Sequence, residues 1–279
     1  MKTIQIAESS GFCFGVKRAI ELTEQVSKEN KKVYTFGPLI HNPQEVERLH
    51  KKGIEVINDY SKIETGVLVL RTHGIELNIY DKLLQNKNLK IIDATCPFVK
   101  RAQDIVKELS NTSEQIVVVG EKTHPEVVAL VSYGKGKCIV VENEQDIKKI
   151  KKTDIIYVVS QTTQNPKKFD NIVKKIAKIS QVKIYNTICK ATFDRQSSAE
   201  KLARTVDLMI VIGGKNSGNT RRLFQICSNI VETYHIENVD EIEKNWFNNK
   251  QKIGITAGAS TPDWIIENIT TKCKACLEE

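Results

Sequence analysis

The chain has 279 residues, 40% of them hydrophobic and 27% charged, which is the composition of a folded globular protein and excludes a disordered one. Its longest apolar runs, at 67–70, 116–119 and 208–212, are far short of the ~20 residues that span a bilayer. Residues 1–8 contain no apolar signal-peptide core, so no membrane partner and a cytoplasmic location are expected. The net charge of +8 permits an anionic substrate, an acidic protein or a nucleic acid. Much of that charge sits in lysine runs at 31–32, 51–52, 148–152 and 174–175, which read as solvated helix ends and loops. No zinc-finger, RNA-recognition or helix-turn-helix signature accompanies them, so no nucleic acid is expected as a partner.

Taken in chain order, a strand at 3–6 leads to Cys13, and Val16, Ala19, Ile20, Leu22 and Val26 then follow helical spacing. A strand at 33–36 ends in Gly37-Pro-Leu-Ile-His41-Asn42, and one at 67–70 ends in Arg71-Thr-His73-Gly74. His50, between them, reads as a surface helix residue. A strand at 90–92 leads to Cys96 and to a helix carrying Val99, Ala102, Ile105, Val106 and Leu109. Strands at 116–119 and 155–159 end in His124-Pro-Glu126 and in Ser160-Gln-Thr162-Thr163. A strand at 182–185 leads to Cys189 and a helix with Ala199, Leu202, Ala203 and Val206 on one face. Strands at 208–212 and 252–256 end in Gly213-Gly-Lys-Asn216-Ser217-Gly218-Asn219 and in Ala257-Gly-Ala-Ser260-Thr261. His235 reads as a strand-like structural position, and Cys138 and Cys227 as buried or incidental. Cys273-Lys-Ala-Cys276 reads as a frayed helical tail.

The chain thus repeats itself. Cys13-Phe-Gly-Val-Lys-Arg18, Cys96-Pro-Phe-Val-Lys-Arg101 and Cys189-Lys-Ala-Thr-Phe-Asp-Arg195 share a pattern, and each follows a strand and opens a helix. The expected fold is α/β, with three similar units in a pseudo-threefold, trefoil arrangement and their loop tips at one central site. The unit boundaries are 14–95, 96–188 and 189–279, and the strand in 1–13 is available to complete the third.

Seven cysteines, an odd number in a chain read as cytoplasmic, are not a disulfide framework. Three thiolates at one site mean a metal centre, against the alternative of three buried structural cysteines. Structural zinc normally takes four ligands, often in close pairs. A cubane iron–sulfur cluster usually takes four cysteines, so three leave one iron open.

Cys13-Phe-Gly-Val-Lys-Arg, Gly37-Pro-Leu-Ile-His-Asn, Arg71-Thr-His-Gly, Ala94-Thr-Cys-Pro, Thr123-His-Pro-Glu, Gln161-Thr-Thr, Asn216-Ser-Gly-Asn and Thr256-Ala-Gly-Ala-Ser occur in one order. That order resembles the 4-hydroxy-3-methylbut-2-enyl diphosphate reductase family, from residue 11 to about residue 264. The resemblance implies an iron–sulfur oxidoreductase of isoprenoid biosynthesis acting at the last step of the methylerythritol phosphate route. It would convert the hydroxylated allylic diphosphate, with two electrons and two protons, to isopentenyl and dimethylallyl diphosphate. It implies one 4Fe-4S cluster on Cys13, Cys96 and Cys189, and Glu126, His124 and Thr162 as catalytic residues, with Glu126 the proton source relayed through Thr162 and the substrate or a water. It implies His41, His73, His124, Thr162, Ser217, Gly218, Asn219 and Ser260 as the diphosphate substrate's binding residues, and a ferredoxin or flavodoxin as one-electron donor. The sequence departs from the family at Gly218, where serine is common; glycine loses a hydroxyl and keeps the backbone N–H. A quinolinate synthase-like enzyme also resembles three units around a three-cysteine cluster, but the Thr123-His-Pro-Glu and Asn216-Ser-Gly-Asn tips argue against it.

Overall fold

Short runs of β-branched and aliphatic residues bounded by glycine and polar tips form parallel strands, the central ones covered on both faces. The computed structural model describes residues 2–112 and 115–278. The first stretch holds β1 (Thr3–Ile6), α1 (Phe14–Glu29), β2 (Val33–Phe36), α2 (Pro43–His50), β3 (Ile54–Ile57), β4 (Gly66–Leu70), α3 (Leu77–Gln85) and β5 (Leu89–Asp93). The second holds α4 (Pro97–Thr112), β6 (Ile116–Val119), α5 (Pro125–Ser132), β7 (Cys138–Val141), β8 (Ile155–Ser160), α6 (Pro166–Ile176) and β9 (Gln181–Tyr185). The third holds α7 (Lys190–Ala203), β10 (Leu208–Ile212), α8 (Gly218–Ser228), β11 (Thr233–Ile236), β12 (Lys252–Ala257) and α9 (Asp263–Glu278).

These strands make three four-stranded sheets of one design, ordered β3-β2-β4-β5, β7-β6-β8-β9 and β11-β10-β12-β1. Every pairing is parallel. The N-terminal strand β1 lies beside β12, with Thr3 opposite Lys252 and Ile6 opposite Ile255, in the place that β5 and β9 take in the other sheets. The chain divides into two compact units. One comprises the residues up to Lys17, Ile40–Arg48 and the chain from Lys190 onward, and contains the third sheet. The other comprises Arg18–Leu39 and Leu49–Cys189 and contains the first two.

Alternate residues of β6, β8 and β10 enter different cores. Leu208, Ile210 and Ile212 pack with Ile265, Ile266 and Ile269 of α9, while Met209 and Val211 pack with Ala199 and Ala203 of α7 and Leu223 of α8. Val117, Val119, Ile156 and Val158 meet Phe169, Ile172 and Ile176 of α6, and Ile116, Val118 and Val159 meet α4 and α5 through Val106 and Leu130. Each such buried aliphatic side chain stabilises the fold by roughly 1.5–3 kcal/mol relative to exposure.

Two expectations are corrected. The C-terminal segment is not frayed: it is the sixteen-residue helix α9, and Cys273 and Cys276 are buried in its apolar face. Beyond the nine strands expected, β3, β7 and β11 form one edge of each sheet. Their half-exposed patterns weaken the hydrophobic period that would announce them. His235 lies in β11 and donates from Nε2 to the Gly213 carbonyl at 2.8 Å.

After each edge strand the chain makes a capped 3-10 turn, at Tyr60–Lys62, Glu144–Lys149 and Val239–Glu241. The middle one is the most elaborate. Asp146 accepts from Lys122 Nζ at 2.6 Å, from Lys149 Nζ at 3.0 Å, and from the backbone of Glu142 and Asn143. The Lys122 ammonium, above all, holds the Asp146 carboxyl far below the usual carboxylate range. Its folded-state value is depressed, so its stabilisation is present at neutral pH and is lost as pH falls below 3.8, the ordinary aspartate value. Asp146→Asn is expected to lower stability at pH 7 by about 1–3 kcal/mol, and this deficit should shrink in melts at strongly acidic pH.

Candidate functional site

The repeat places chemistry at fixed distances from equivalent strands. Five residues beyond the ends of β2, β6 and β10 stand His41, His124 and Ser217. Two or three residues beyond β4, β8 and β12 stand His73, Thr162 and Ser260. All are at the carboxyl ends of parallel strands, where α/β folds bind ligands. The helices that follow the first group are capped from the same loops. Asn42 Oδ1 accepts from Glu45 N, His124 Nδ1 from Glu126 N, and Ser217 Oγ from Thr220 N, at 2.9, 3.2 and 3.3 Å. A helix N-terminus presents backbone N–H groups and favours anions.

The three sequence-singled cysteines share a backbone frame. Each precedes the first residue of a helix: Cys13 that of α1, Cys96 that of α4, Cys189 that of α7. Each donates its N–H to the carbonyl two residues past a strand end: Cys13 to Ala259, Cys96 to Thr72, Cys189 to Thr162, at 3.2, 3.0 and 3.0 Å. None is buried or disulfide-bonded. The others differ. Cys227, Cys273 and Cys276 are buried, and burial pushes the thiols of Cys138, Cys227 and Cys273 up to about 12, which keeps them protonated and poor metal ligands.

The unit built on the first two sheets brings together His73, His124, Glu126, Thr162, Cys96 and Cys189. Glu126 is 1% exposed, in the first turn of α5. One of its oxygens accepts from Thr162 N at 2.6 Å and the other from Thr162 Oγ1 at 2.9 Å. Thr162 in turn receives the Cys189 N–H on its carbonyl, so one residue joins the carboxylate to a cysteine. The His124 ring meets the His73 ring edge to face, centroids 5.4 Å apart at 77°. Because His124 Nδ1 accepts a backbone N–H, the ring nitrogen left to donate is Nε2.

The other unit holds Cys13, His41, Ser217, Gly218, Asn219 and Ser260. Ser260 Oγ donates to the His41 carbonyl at 3.1 Å. Gly214 permits that approach, since a Cβ there would lie 2.7 Å from the same carbonyl oxygen. Ser217 caps α8, and Gly218 and Asn219 are its first two residues. Asn219 is buried, yet among the described residues neither its Oδ1 nor its Nδ2 has a hydrogen-bond partner. A buried amide with both atoms unsatisfied is costly.

Sequence reasoning singled out each of these residues, and the resemblance linked Glu126 to Thr162 as a proton relay; it did not single out Thr72 and Ala259 as anchors for cysteines. The fixed offset from strand ends is the signal that would have found the anchors.

A LytB protein family model matches residues 4–274. The chain is 48% identical over 284 residues to the 4-hydroxy-3-methylbut-2-enyl diphosphate reductase of Aquifex aeolicus (strain VF5), covering 100% of this chain and 98% of that protein. It is 44% identical to the enzyme of the same name from Pelobacter propionicus, covering 95% of both chains. A solved (E)-4-hydroxy-3-methyl-but-2-enyl diphosphate reductase, the terminal enzyme of the non-mevalonate pathway, superposes with a TM-score of 0.74 at 46% identity, covering 99% of this chain and 100% of that one. A Plasmodium falciparum E-1-hydroxy-2-methyl-but-2-enyl-4-diphosphate reductase superposes with a TM-score of 0.91 at 29% identity, covering 97% and 87%. No described helix is long and apolar enough to cross a membrane.

Proposed function

The chain belongs to the LytB family and is an oxidoreductase of the 4-hydroxy-3-methylbut-2-enyl diphosphate reductase type, and from this we propose that it reductively removes the hydroxyl group of (E)-4-hydroxy-3-methylbut-2-enyl diphosphate in the cytoplasm, at the last step of the methylerythritol phosphate route. Two electrons and two protons enter, the C–O bond breaks and water leaves. The products are isopentenyl and dimethylallyl diphosphate.

The observation that carries this reading is the buried Glu126 carboxylate, bound through both oxygens to Thr162, which is itself bound to Cys189. Cys13, Cys96 and Cys189 are the proposed ligands of one 4Fe-4S cluster. The donor set fits: three unburied thiols in the same backbone frame, each at the positive end of a helix that suits an anionic group. Such a cluster, when bound, supplies electrons and a Lewis-acidic iron.

Glu126 and Thr162 handle the proton. With Glu126 ionised, Thr162 Oγ1 donates to it. When that carboxyl oxygen carries a proton the bond reverses, and the threonine proton turns outward, because a hydroxyl both donates and accepts. Delivery of a proton at Thr162 Oγ1 then refills from Glu126, which makes Glu126 the general acid.

His41, His73 and His124 are proposed donors to the diphosphate, His124 through Nε2–H. Ser217, Ser260, Asn219 and the N–H of Gly218 are proposed to take the remaining phosphate oxygens. The test is turnover by anaerobically purified, cluster-loaded protein with a dithionite-reduced viologen. Both isomeric diphosphates are expected; loaded protein that leaves the substrate intact would overturn the reading.

Asn219→Ala separates binding from folding. It deletes an amide that has no partner in the described protein, so the melting temperature should hold or rise. Diphosphate affinity should fall roughly tenfold, the value of one hydrogen bond to a charged group. Lost stability with unchanged affinity in calorimetry would show instead that the amide serves the fold.

The proposed electron donor is a small acidic ferredoxin or flavodoxin, attracted by the net charge of +8. Turnover with such a donor should weaken as salt shortens the Debye length to about 8 Å at 0.15 M. A rate independent of salt would count against electrostatic docking.

A further inference from the structure

The three connections that deliver the cysteines differ in one respect. Cys96 follows β5 by three residues and Cys189 follows β9 by four. Each of these short connections is closed by its own side chain: Asp93 Oδ1 accepts from Thr95 N at 2.9 Å, and Asn186 Oδ1 from Ile188 N at 3.1 Å. Such turns favour Asp or Asn at the strand end, and Ser or Thr form them more weakly; Ser10 Oγ has no hydrogen-bond partner among the described residues. Cys13 follows β1 by seven residues, and residues 7–13 contain neither Asp nor Asn.

That longer connection is held from outside, by α7. Ser9 N donates to Ser198 Oγ at 3.2 Å. Arg195, 4% exposed, donates from Nη2 to the Gly11 carbonyl at 2.7 Å and from Nη1 to the Ala191 carbonyl of its own helix at 3.0 Å. The fork therefore ties the connection to the first turn of α7. Gly11 has φ +80°, and a Cβ there would press on Ile266 Cδ1 at 3.0 Å and Asp263 Oδ1 at 3.2 Å, so the turn at this carbonyl tolerates little else. A loop of seven residues costs conformational entropy to fix, and the guanidinium supplies a buried, charge-assisted bond two residues before the thiol. Arg18 makes a longer counterpart contact to the Thr95 carbonyl, 3.5 Å from Nη1, beside a cysteine that the Asp93 turn already holds.

We propose that Arg195 is a positioning residue for Cys13: it replaces the missing turn side chain and sets the loop that presents this thiol. The proposal rests on the reading of Cys13 as a cluster ligand, but its test does not require a cluster. Anaerobic apo-protein is labelled with N-ethylmaleimide over time, and each cysteine is followed by peptide mass spectrometry.

In Arg195→Met, Cys13 should label about tenfold faster, as expected for losing one hydrogen bond to a buried charged group, while Cys96 and Cys189 keep wild-type rates. Arg195→Lys should fall between, because an ammonium lacks the planar fork that spans both carbonyls. In loaded protein the same variants should lose iron faster to a chelator. Unchanged Cys13 labelling, or equal acceleration of all three thiols, would overturn the proposal. If Arg195→Met does not fold, Arg195→Lys and Ser198→Ala carry the same comparison, and Cys13 labelling at the wild-type rate in both would overturn it. A Cys13→Ser protein with full iron would instead remove the ligand reading and leave the labelling result standing.

Discussion

Glu126→Gln is expected to lower kcat by roughly 10²–10⁴, the usual scale for a general acid, with little change in substrate affinity. The substitution keeps shape. The amide oxygen of glutamine can still accept from Thr162 N, now at 2.6 Å, and its NH₂ can face Thr162 Oγ1, now at 2.9 Å. What disappears is the proton: an amide has none to give, and its NH₂ fixes Thr162 Oγ1 as an acceptor. The loop also carries a control. His124→Asn retains a side-chain oxygen able to cap α5 at Glu126 N but removes Nε2–H. Affinity should then fall by about 1.5–3 kcal/mol, tenfold or more, with a smaller effect on kcat. Kd comes from calorimetry on the oxidised enzyme and kcat from turnover with a chemical reductant. Near wild-type kcat in Glu126→Gln would move the proton source elsewhere, with the substrate's own diphosphate the next candidate.

The inner strands were legible because burial on both faces writes an uninterrupted apolar run, as in Ile116–Val119, and the structure buries all four of those residues. The edge strands were not. Ile54–Ile57 buries one residue of four, and its central Glu55 reads as loop. The C-terminal helix was legible in principle: Ile265, Ile266, Ile269, Cys273, Cys276 and Leu277 keep helical spacing once cysteine is counted as apolar. Reading the end of the chain as frayed obscured it.

At the candidate site the residue types and their strand-tip positions were legible, since repeats and Gly-rich turns are local signals. The contacts themselves were not, and only the family resemblance linked Glu126 to Thr162. Glu126 and Thr162 are 36 residues apart and Arg195 and Gly11 are 184 apart, and no local pattern records such contacts. The absent Asp or Asn between β1 and Cys13 was visible, but it acquires meaning only when the sheets show that the three connections are equivalent.

Cys13→Ser, Cys96→Ser and Cys189→Ser are each expected to lose most bound iron and nearly all activity. Cluster iron favours soft thiolates, and a serine hydroxyl is a hard donor that stays protonated at neutral pH. The other four cysteines supply the internal comparison. Cys273 is fully buried, with its thiol pushed up to about 12 by burial, so Cys273→Ser removes no ligand. It can still cost about 1–3 kcal/mol by placing a hydroxyl among Ile265, Ile266 and Ile269. Iron must therefore be counted per folded protein, alongside a melting curve. Cys227→Ser should be milder, since Sγ already lies 3.9 Å from the Ala199 carbonyl and a hydroxyl can donate there. The expected pattern is three variants that fold without iron and four that keep it at whatever stability they retain. Cys189→Ser with its full iron complement would break the assignment where it is most constrained, because Cys189 is the one of the three whose backbone is bonded to Thr162 and, through it, to Glu126.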